Sequence, residues 1–268
     1  RSADALAGGD TAHDHLKEKN KWRPAFAAVQ PMLAKRRKGQ DGVLMFVNYP
    51  QMPTGQLPDK KLFEDLVSFA KANQVLLVHD NPYSFILNEK PMSLLAMEGA
   101  KEQVIELNSL SKSHNMAGWR VGMLMASRER IDEVLRFKSN MDSGMFLPVQ
   151  LAAAKALSLP ASWYESVNAI YRKRRIAVEA LLDEMGCRYS KKQAGLFVWA
   201  AVPEGVKDGY VLSDLMLYNA NVFITPGGIF GDSGNEYIRV SLCATEENIM
   251  ESIKRVKKAD ILKPKQHV

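Results

Sequence analysis

Apolar residues fall in short unbroken runs through the first half of the chain. VLMFVN (43–48), VLLVHD (75–80), VIELNS (104–109) and VGMLMAS (121–127) each read as a strand apolar on both faces. Between the first two, residues 58–73 carry apolar positions at helical spacing. Strands buried on both faces and joined by helical crossovers predict an α/β fold: a mainly parallel sheet with helices on both faces. Functional side chains are then expected at the strand ends and in the loops that follow.

The pattern changes after residue 127. Helical spacing runs over 131–140, 147–157 and 162–185, with Pro160 interrupting before the last and longest. LFVWAAV (196–202), VFITP (222–226) and YIRVSL (237–242) then read as strands. A helix after Thr245, with Glu246 and Glu247 in its first turn, closes the chain. The expected division is a large domain over 1–160, then an interdomain helix with a smaller α+β C-terminal domain over 161–268.

Composition narrows the class. The chain has 268 residues, 46% of them apolar, enough for real cores. No apolar run approaches the roughly 20 residues that span a bilayer, and the start lacks a secretory layout, so a cytoplasmic location and no membrane partner are expected. Cys187 and Cys243 stand apart from each other and from any ligand pattern. This argues against disulfides and zinc, and both are expected in the core. The net charge of +6 is partly clustered in KRRK (35–38), RKRR (172–175) and KRVKK (254–258). With no nucleic-acid motif alongside, these are expected to be solvated helix faces. The opening RSADALAGGD reads as the middle of a helix, so the sequence is expected to be part of a longer protein.

Two stretches carry chemistry. In NSLSKSHNMAGWRVG (108–122), Ser109 and Ser111 precede Lys112, and Arg120 follows eight residues later. Hydroxyls and a guanidinium around a loop amine suggest an anion site beside a nucleophile. In HDNPY (79–83), Asp80 ends an apolar strand, where a carboxylate is costly to bury without a cation. Tyr83 follows in the same loop. A carboxylate, a phenol, a lysine and a phosphate site are together what pyridoxal phosphate demands.

SLSKSHNMAGWRVG is similar to the SxSKxxxxxGxRxG signature of the fold-type I aminotransferases of class I/II, and its order relative to DNPY and YIRVS is also that family's. The resemblance extends from about Asn20 almost to the C-terminus. It implies an aminotransferase that moves an amino group between an L-amino acid and a 2-oxo acid through a pyridoxal phosphate Schiff base on Lys112. It further implies that Asp80 faces the pyridinium nitrogen, that Tyr83 contacts the ring oxygen, and that Ser109, Ser111 and Arg120 hold the phosphate. Arg239 in YIRVS would clamp the substrate carboxylate, and a homodimer is implied. Residues 1–160 would then be part of the cofactor-binding domain. A C–S β-lyase, or an effector-sensing domain of a transcriptional regulator, would share these motifs. The family's upstream phosphate turn and ring-stacking aromatic precede the matched region, so this chain alone is expected to bind cofactor poorly.

One position departs from the pattern. YPQMPTG (49–55) stands where the family reads YPNNPTG, so Met52 replaces an asparagine that donates to the cofactor ring oxygen. Tyr83 is then expected as the main donor, with Gln51 as a substitute if the turn permits. The alternative is that Met52 packs against the ring edge. His114 is expected to be structural, His79 to point away from the cofactor face, and Trp119 and Trp199 to pack. The glycine-rich TPGGIFG (225–231) resembles the family's small-domain loop near the substrate.

Overall fold

Val43–Asn48 (β1), Val75–Asp80 (β2) and Val104–Ser109 (β3) run parallel in that order, and Gly122–Met125 (β4) adds to β3 antiparallel. The computed structural model describes residues 9, 11–34 and 42–260. The KRRK cluster and most of RSADALAGGD lie outside the described residues.

Phe26–Ala34 (α1) precedes β1, and Lys60–Asn73 (α2) makes the first crossover. The latter starts because the Asp59 carboxylate accepts from the Leu62 amide at 2.8 Å, and it ends at Gln74 in the left-handed conformation. Its Leu62, Phe63, Leu66, Val67 and Ala70 are buried with Val47, Leu77 and Val104 of the sheet. The opposite face of β1, with Leu44 and Phe46, is exposed among the described residues. The β2–β3 crossover contains only one turn of 3-10 helix, Leu94–Ala96, pinned by backbone donors to the buried Glu106. A short helix, Leu110–Ser113 (α3), leads from β3 towards β4, followed by Arg128–Lys138 (α4) and Leu147–Leu157 (α5).

Ala161–Glu184 (α6), 24 residues long, leads to a second sheet. Arg188–Tyr189 (β5), Phe197–Ala201 (β6), Thr225–Pro226 (β7) and Tyr237–Ser241 (β8) pair antiparallel in the order β5-β6-β8-β7. Gly209–Ala220 (α7) and Glu246–Ala259 (α8) pack with α6 on this sheet, and Thr245 caps α8 as its acidic first turn implies. The strand expected over 222–226 shrinks to two residues. Asn221 ends α7 in the left-handed region, and Val222 and Ile224 then bury their side chains from an irregular segment.

Two positive clusters are helix faces. On α8, Ile253 and Val256 are buried while Lys254, Arg255, Lys257 and Lys258 face solvent. In the second, Arg172 and Lys173 are exposed, but Arg175 pairs with Glu179 at 3.0 Å and Arg174 donates to the Leu242 carbonyl at 3.2 Å. Cys187 is buried, whereas Cys243 is exposed, against expectation. Leu242 takes the core position at the end of β8 and leaves its neighbour in the outward turn before α8. Trp119 is likewise half-exposed rather than packed, since the turn Ala117–Trp119 lies on the surface.

Candidate active site

The parallel strands end side by side, so the residues after their apolar runs converge. Asn48, at the end of β1, pairs in register with Asp80 at the end of β2. Its side-chain amide donates to the Asp80 carbonyl at 2.6 Å, and its Oδ1 accepts from the Met52 amide at 2.5 Å. Asn48 therefore ties the 49–55 turn to the tip carrying Asp80. Period-2 alternation sends His79 to the other face, where it is fully buried. There its Nδ1 lies 3.3 Å from Glu106 Oε2 and its Nε2 lies 3.0 Å from the Tyr49 carbonyl oxygen.

The Asp80 side chain is open to solvent and accepts no hydrogen bond among the described residues. Even so, desolvation by the surrounding protein raises its pKa, opposed by the positive fields of His79 and Lys112. Lys112 sits in α3, which begins where the Ser109 hydroxyl accepts from the Ser111 amide at 3.1 Å. Its ammonium lies 5.9 Å from the Tyr83 ring centroid and has no hydrogen-bond or ion-pair partner among the described residues. Tyr83 packs beside Gly195, whose φ of +88° suits glycine. Burial raises the Tyr83 phenol, with Arg239 opposing and Asp80 adding to the effect.

Arg239 projects from β8 with its guanidinium carbon 3.9 Å from the Phe197 ring centroid and 4.4 Å from that of Phe230. Such cation–π contacts hold a guanidinium without neutralising it. Its Nη1 donates to the Met52 sulfur at 3.3 Å, and its buried Nε has no acceptor. Burial lowers its pKa, with Tyr83 and Cys243 opposing.

Asp80, Tyr83, Lys112 and Arg239 thus form one connected group. Ser109 and Ser111 lie in the same segment as Lys112. Arg120 is exposed, in the left-handed region, with its Nη1 donating to the Ala117 carbonyl at 2.8 Å. Gln51 is committed to its own turn: its amide donates to the Met52 carbonyl at 2.7 Å, and its Oε1 accepts from Thr54 at 3.1 and 2.5 Å. It does not stand in for the missing asparagine. His114 is buried between Ser113, Trp163 and Tyr164, and burial lowers its pKa. Sequence reasoning missed Asn48 and Phe197, and reached Phe230 only as part of the 225–231 loop. Asn48 had a signal, a polar residue directly after an apolar run, whereas Phe197 read as an ordinary strand residue.

An open concavity of about 600 Å³ beside Ala27, Gln30 and Pro31 lies on α1, away from these residues, and its lining carries no titratable side chain. No group of three or more possible metal ligands occurs among the described residues.

A strand-end carboxylate, a helix-borne amine and a phenol thus lie near an uncompensated guanidinium. The chain belongs to the family Aminotransferase class I and II, which it matches over residues 4–256. It is 37% identical over 258 residues to LL-diaminopimelate aminotransferase of Halothermothrix orenii, covering 96% of this chain and 65% of that protein. The corresponding protein of Aquifex aeolicus is 35% identical, with 94% of this chain and 64% of that one covered. Among solved structures, substrate-bound BacF from Bacillus subtilis superposes with a TM-score of 0.89 at 34% identity, covering 97% of this chain and 66% of that one. A probable N-succinyldiaminopimelate aminotransferase from Thermus thermophilus gives a TM-score of 0.85 at 29% identity, covering 96% and 68%. The chain therefore spans about 65% of the length of the curated relatives it matches.

Members of this family use pyridoxal phosphate, and the residues present fit it. Among the described residues the Asp80 carboxylate lacks a donor and the Lys112 amine lacks a partner, so neither is committed there. No helix among the described residues is long and apolar enough to cross a membrane.

Proposed function

We propose that this chain carries the reaction site of an aminotransferase that exchanges an amino group between an L-amino acid and a 2-oxo acid. The observation that carries this reading is the pairing of an uncommitted Lys112 amine beside Tyr83 with an Arg239 guanidinium whose buried Nε has no acceptor. When bound, pyridoxal phosphate supplies an electron sink for the bond breaking at the substrate Cα. Asp80 holds a negative charge towards the ring nitrogen and so keeps it protonated. Tyr83 donates its hydroxyl to the ring oxygen, and Ser109, Ser111 and Arg120 bind the phosphate. Arg239 takes the α-carboxylate in its guanidinium fork, which orients the Cα–H bond towards Lys112. Lys112 Nζ would take that proton from Cα and pass it to C4′ of the cofactor, the carbon that keeps the amino group.

In this reading residues 1–160 form the cofactor-binding part, and 161–268 the interdomain helix and small domain. The relatives' names put a diamino dicarboxylic acid first among the donors to screen. A homodimer fits the exposed Phe146, Leu147 and Leu151 on α5 and its N-terminal edge, an apolar surface that a second copy would cover.

The test is borohydride reduction of the chain with pyridoxal phosphate, followed by peptide mass mapping, then transfer assays with 2-oxo acid acceptors. At cofactor concentrations high enough to offset weak binding, a pyridoxyl group confined to Lys112, together with donor-dependent transfer, is expected. Labels scattered over surface lysines, or none, would overturn the assignment of Lys112.

A further inference from the structure

The stretch from Lys17 to Arg23 lies outside the candidate site, yet it is bound to both walls around Arg239. Glu18–Asn20 forms one 3-10 turn, and Lys21 and Trp22 follow with φ of 53° each. Two successive non-glycine residues in the left-handed region persist only where their surroundings hold them there. The surroundings are specific. The Trp22 carbonyl accepts from the buried Tyr49 hydroxyl at 2.8 Å, and Tyr49 opens the turn that carries Met52. The Trp22 ring meets Tyr237 edge-on at 5.4 Å and Trp199 edge-on at 6.2 Å. Glu18 accepts from the Tyr237 hydroxyl at 2.8 Å and pairs with both terminal nitrogens of Arg188, at 3.0 and 3.3 Å.

From there the packing runs inward. Trp199 stacks flat on Tyr237 at 5.2 Å and meets Phe230 edge-on at 6.0 Å. Its indole also seats the loop that carries Phe230: a methyl group added at Gly227 would lie 2.6 Å from Trp199 Cη2, and one at Gly234 would lie 3.2 Å away. Phe230 in turn faces the guanidinium at 4.4 Å, while Met52 holds its Nη1 from the other side. The strap thus joins the Met52 turn, through Tyr49, to the Phe230 loop, through Trp199 and Tyr237.

We propose that Trp22, supported by Glu18, is a positioning residue for the Arg239 carboxylate clamp, fixing the Met52 turn and the Phe230 loop against each other so that the guanidinium keeps one orientation. The proposal rests on the transaminase reading only for what Arg239 binds.

The test reads the clamp directly. In the 268-residue chain, the Arg239 Nε–H signal is identified by its loss in Arg239→Lys, and its hydrogen-exchange rate is measured in Trp22→Leu, Trp22→Phe and Glu18→Gln. Trp22→Leu is expected to speed exchange about tenfold or more, because opening of the cage limits it. Trp22→Phe should recover most of the protection, and Glu18→Gln should shift exchange in the same direction by less, since its ion pair is solvent-exposed. Should Trp22→Leu not fold, Trp22→Ala and Glu18→Gln decide, while Trp22→Phe serves as the conservative control that is expected to stay protected. Unchanged exchange in folded variants overturns the proposal, whatever the chain catalyses. Where turnover is measurable, the variants should raise KM for the amino donor and leave kcat nearly unchanged; the reverse split also overturns it. Faster exchange in a chain that transfers no amino group would keep the positioning role and overturn the transaminase reading instead.

Discussion

Arg239 donates to the sulfur of Met52 at 3.3 Å, and that thioether is its one hydrogen-bond acceptor among the described residues. Sulfur is a weak acceptor, so the contact orients the guanidinium without competing strongly with an incoming carboxylate. Replacing Met52 by leucine keeps the volume and removes the acceptor, and should change stability by less than about 1 kcal/mol in urea unfolding. Arg239→Lys removes the planar fork and should weaken carboxylate binding about a hundredfold, read by calorimetry with the amino donor. Equal affinity for the two chains would remove Arg239 from the substrate site.

Glu106 is buried and gathers five donors: His79, Ser93 and the Leu94 and Leu95 amides on Oε2, and Asn81 on Oε1. Burial pushes its pKa up, but the hydrogen bonds from His79, Asn81 and Ser93 and the charge of His79 outweigh that and leave it lowered. A depressed folded-state value means stability that is present above the unfolded carboxyl value and lost as pH falls through the folded one. Glu106→Gln should therefore cost about 2–4 kcal/mol near neutral pH. The gap to the parent should narrow below about pH 4.5 as the parent's own carboxylate protonates. Denaturant midpoints across that range check the sign; a gap that widens in acid would refute it.

Cys187 and Cys243 should separate cleanly in thiol chemistry. Burial pushes the Cys187 thiol up to about 12, while Cys243 lies in an exposed turn. Since the thiolate is the reactive form, one equivalent of an alkylating reagent should enter the folded chain at Cys243. The second should enter only after denaturation. Peptide mapping after brief labelling gives the answer.

Phe46 and Phe63 lie on opposite sides of the sheet's packing. Phe63, on α2, is fully buried against the sheet, and Phe46 is 65% exposed on β1. Phe63→Ala should cost about 3–5 kcal/mol. Phe46→Ser should stay within about 0.5 kcal/mol if no other molecule covers that face. A larger loss at Phe46 in an unfolding titration would show that the face is covered in solution.

The sequence by itself determined the α/β alternation, the parallel order of the first strands, and the chemistry at their ends. Those features follow from local rules: apolar runs make buried strands, Asp59 and Thr245 begin helices, and polar residues directly after a strand lie at its tip. Lys112, Asp80 and Tyr83 were legible for that reason, and the spacing around Lys112 carried the family.

Tertiary structure decided the rest. The single 3-10 turn in the long β2–β3 crossover is pinned by backbone donors to Glu106, a bond from outside the segment that periodicity does not record. Whether a cysteine or tryptophan is buried depends on which neighbour takes the core position, so Cys243 and Trp119 face outward. Gln51 folds back on its own turn, and Asn48 joins two strand ends, through hydrogen bonds whose partners only the fold supplies. The cage around Arg239 is the clearest case. Met52, Phe197 and Phe230 come from three separate segments, and Trp22 supports them from a fourth through Tyr49, Tyr237 and Trp199. Sequence marked Met52 and the 225–231 loop as unusual, but not that they meet at Arg239, because those contacts join residues far apart in the chain.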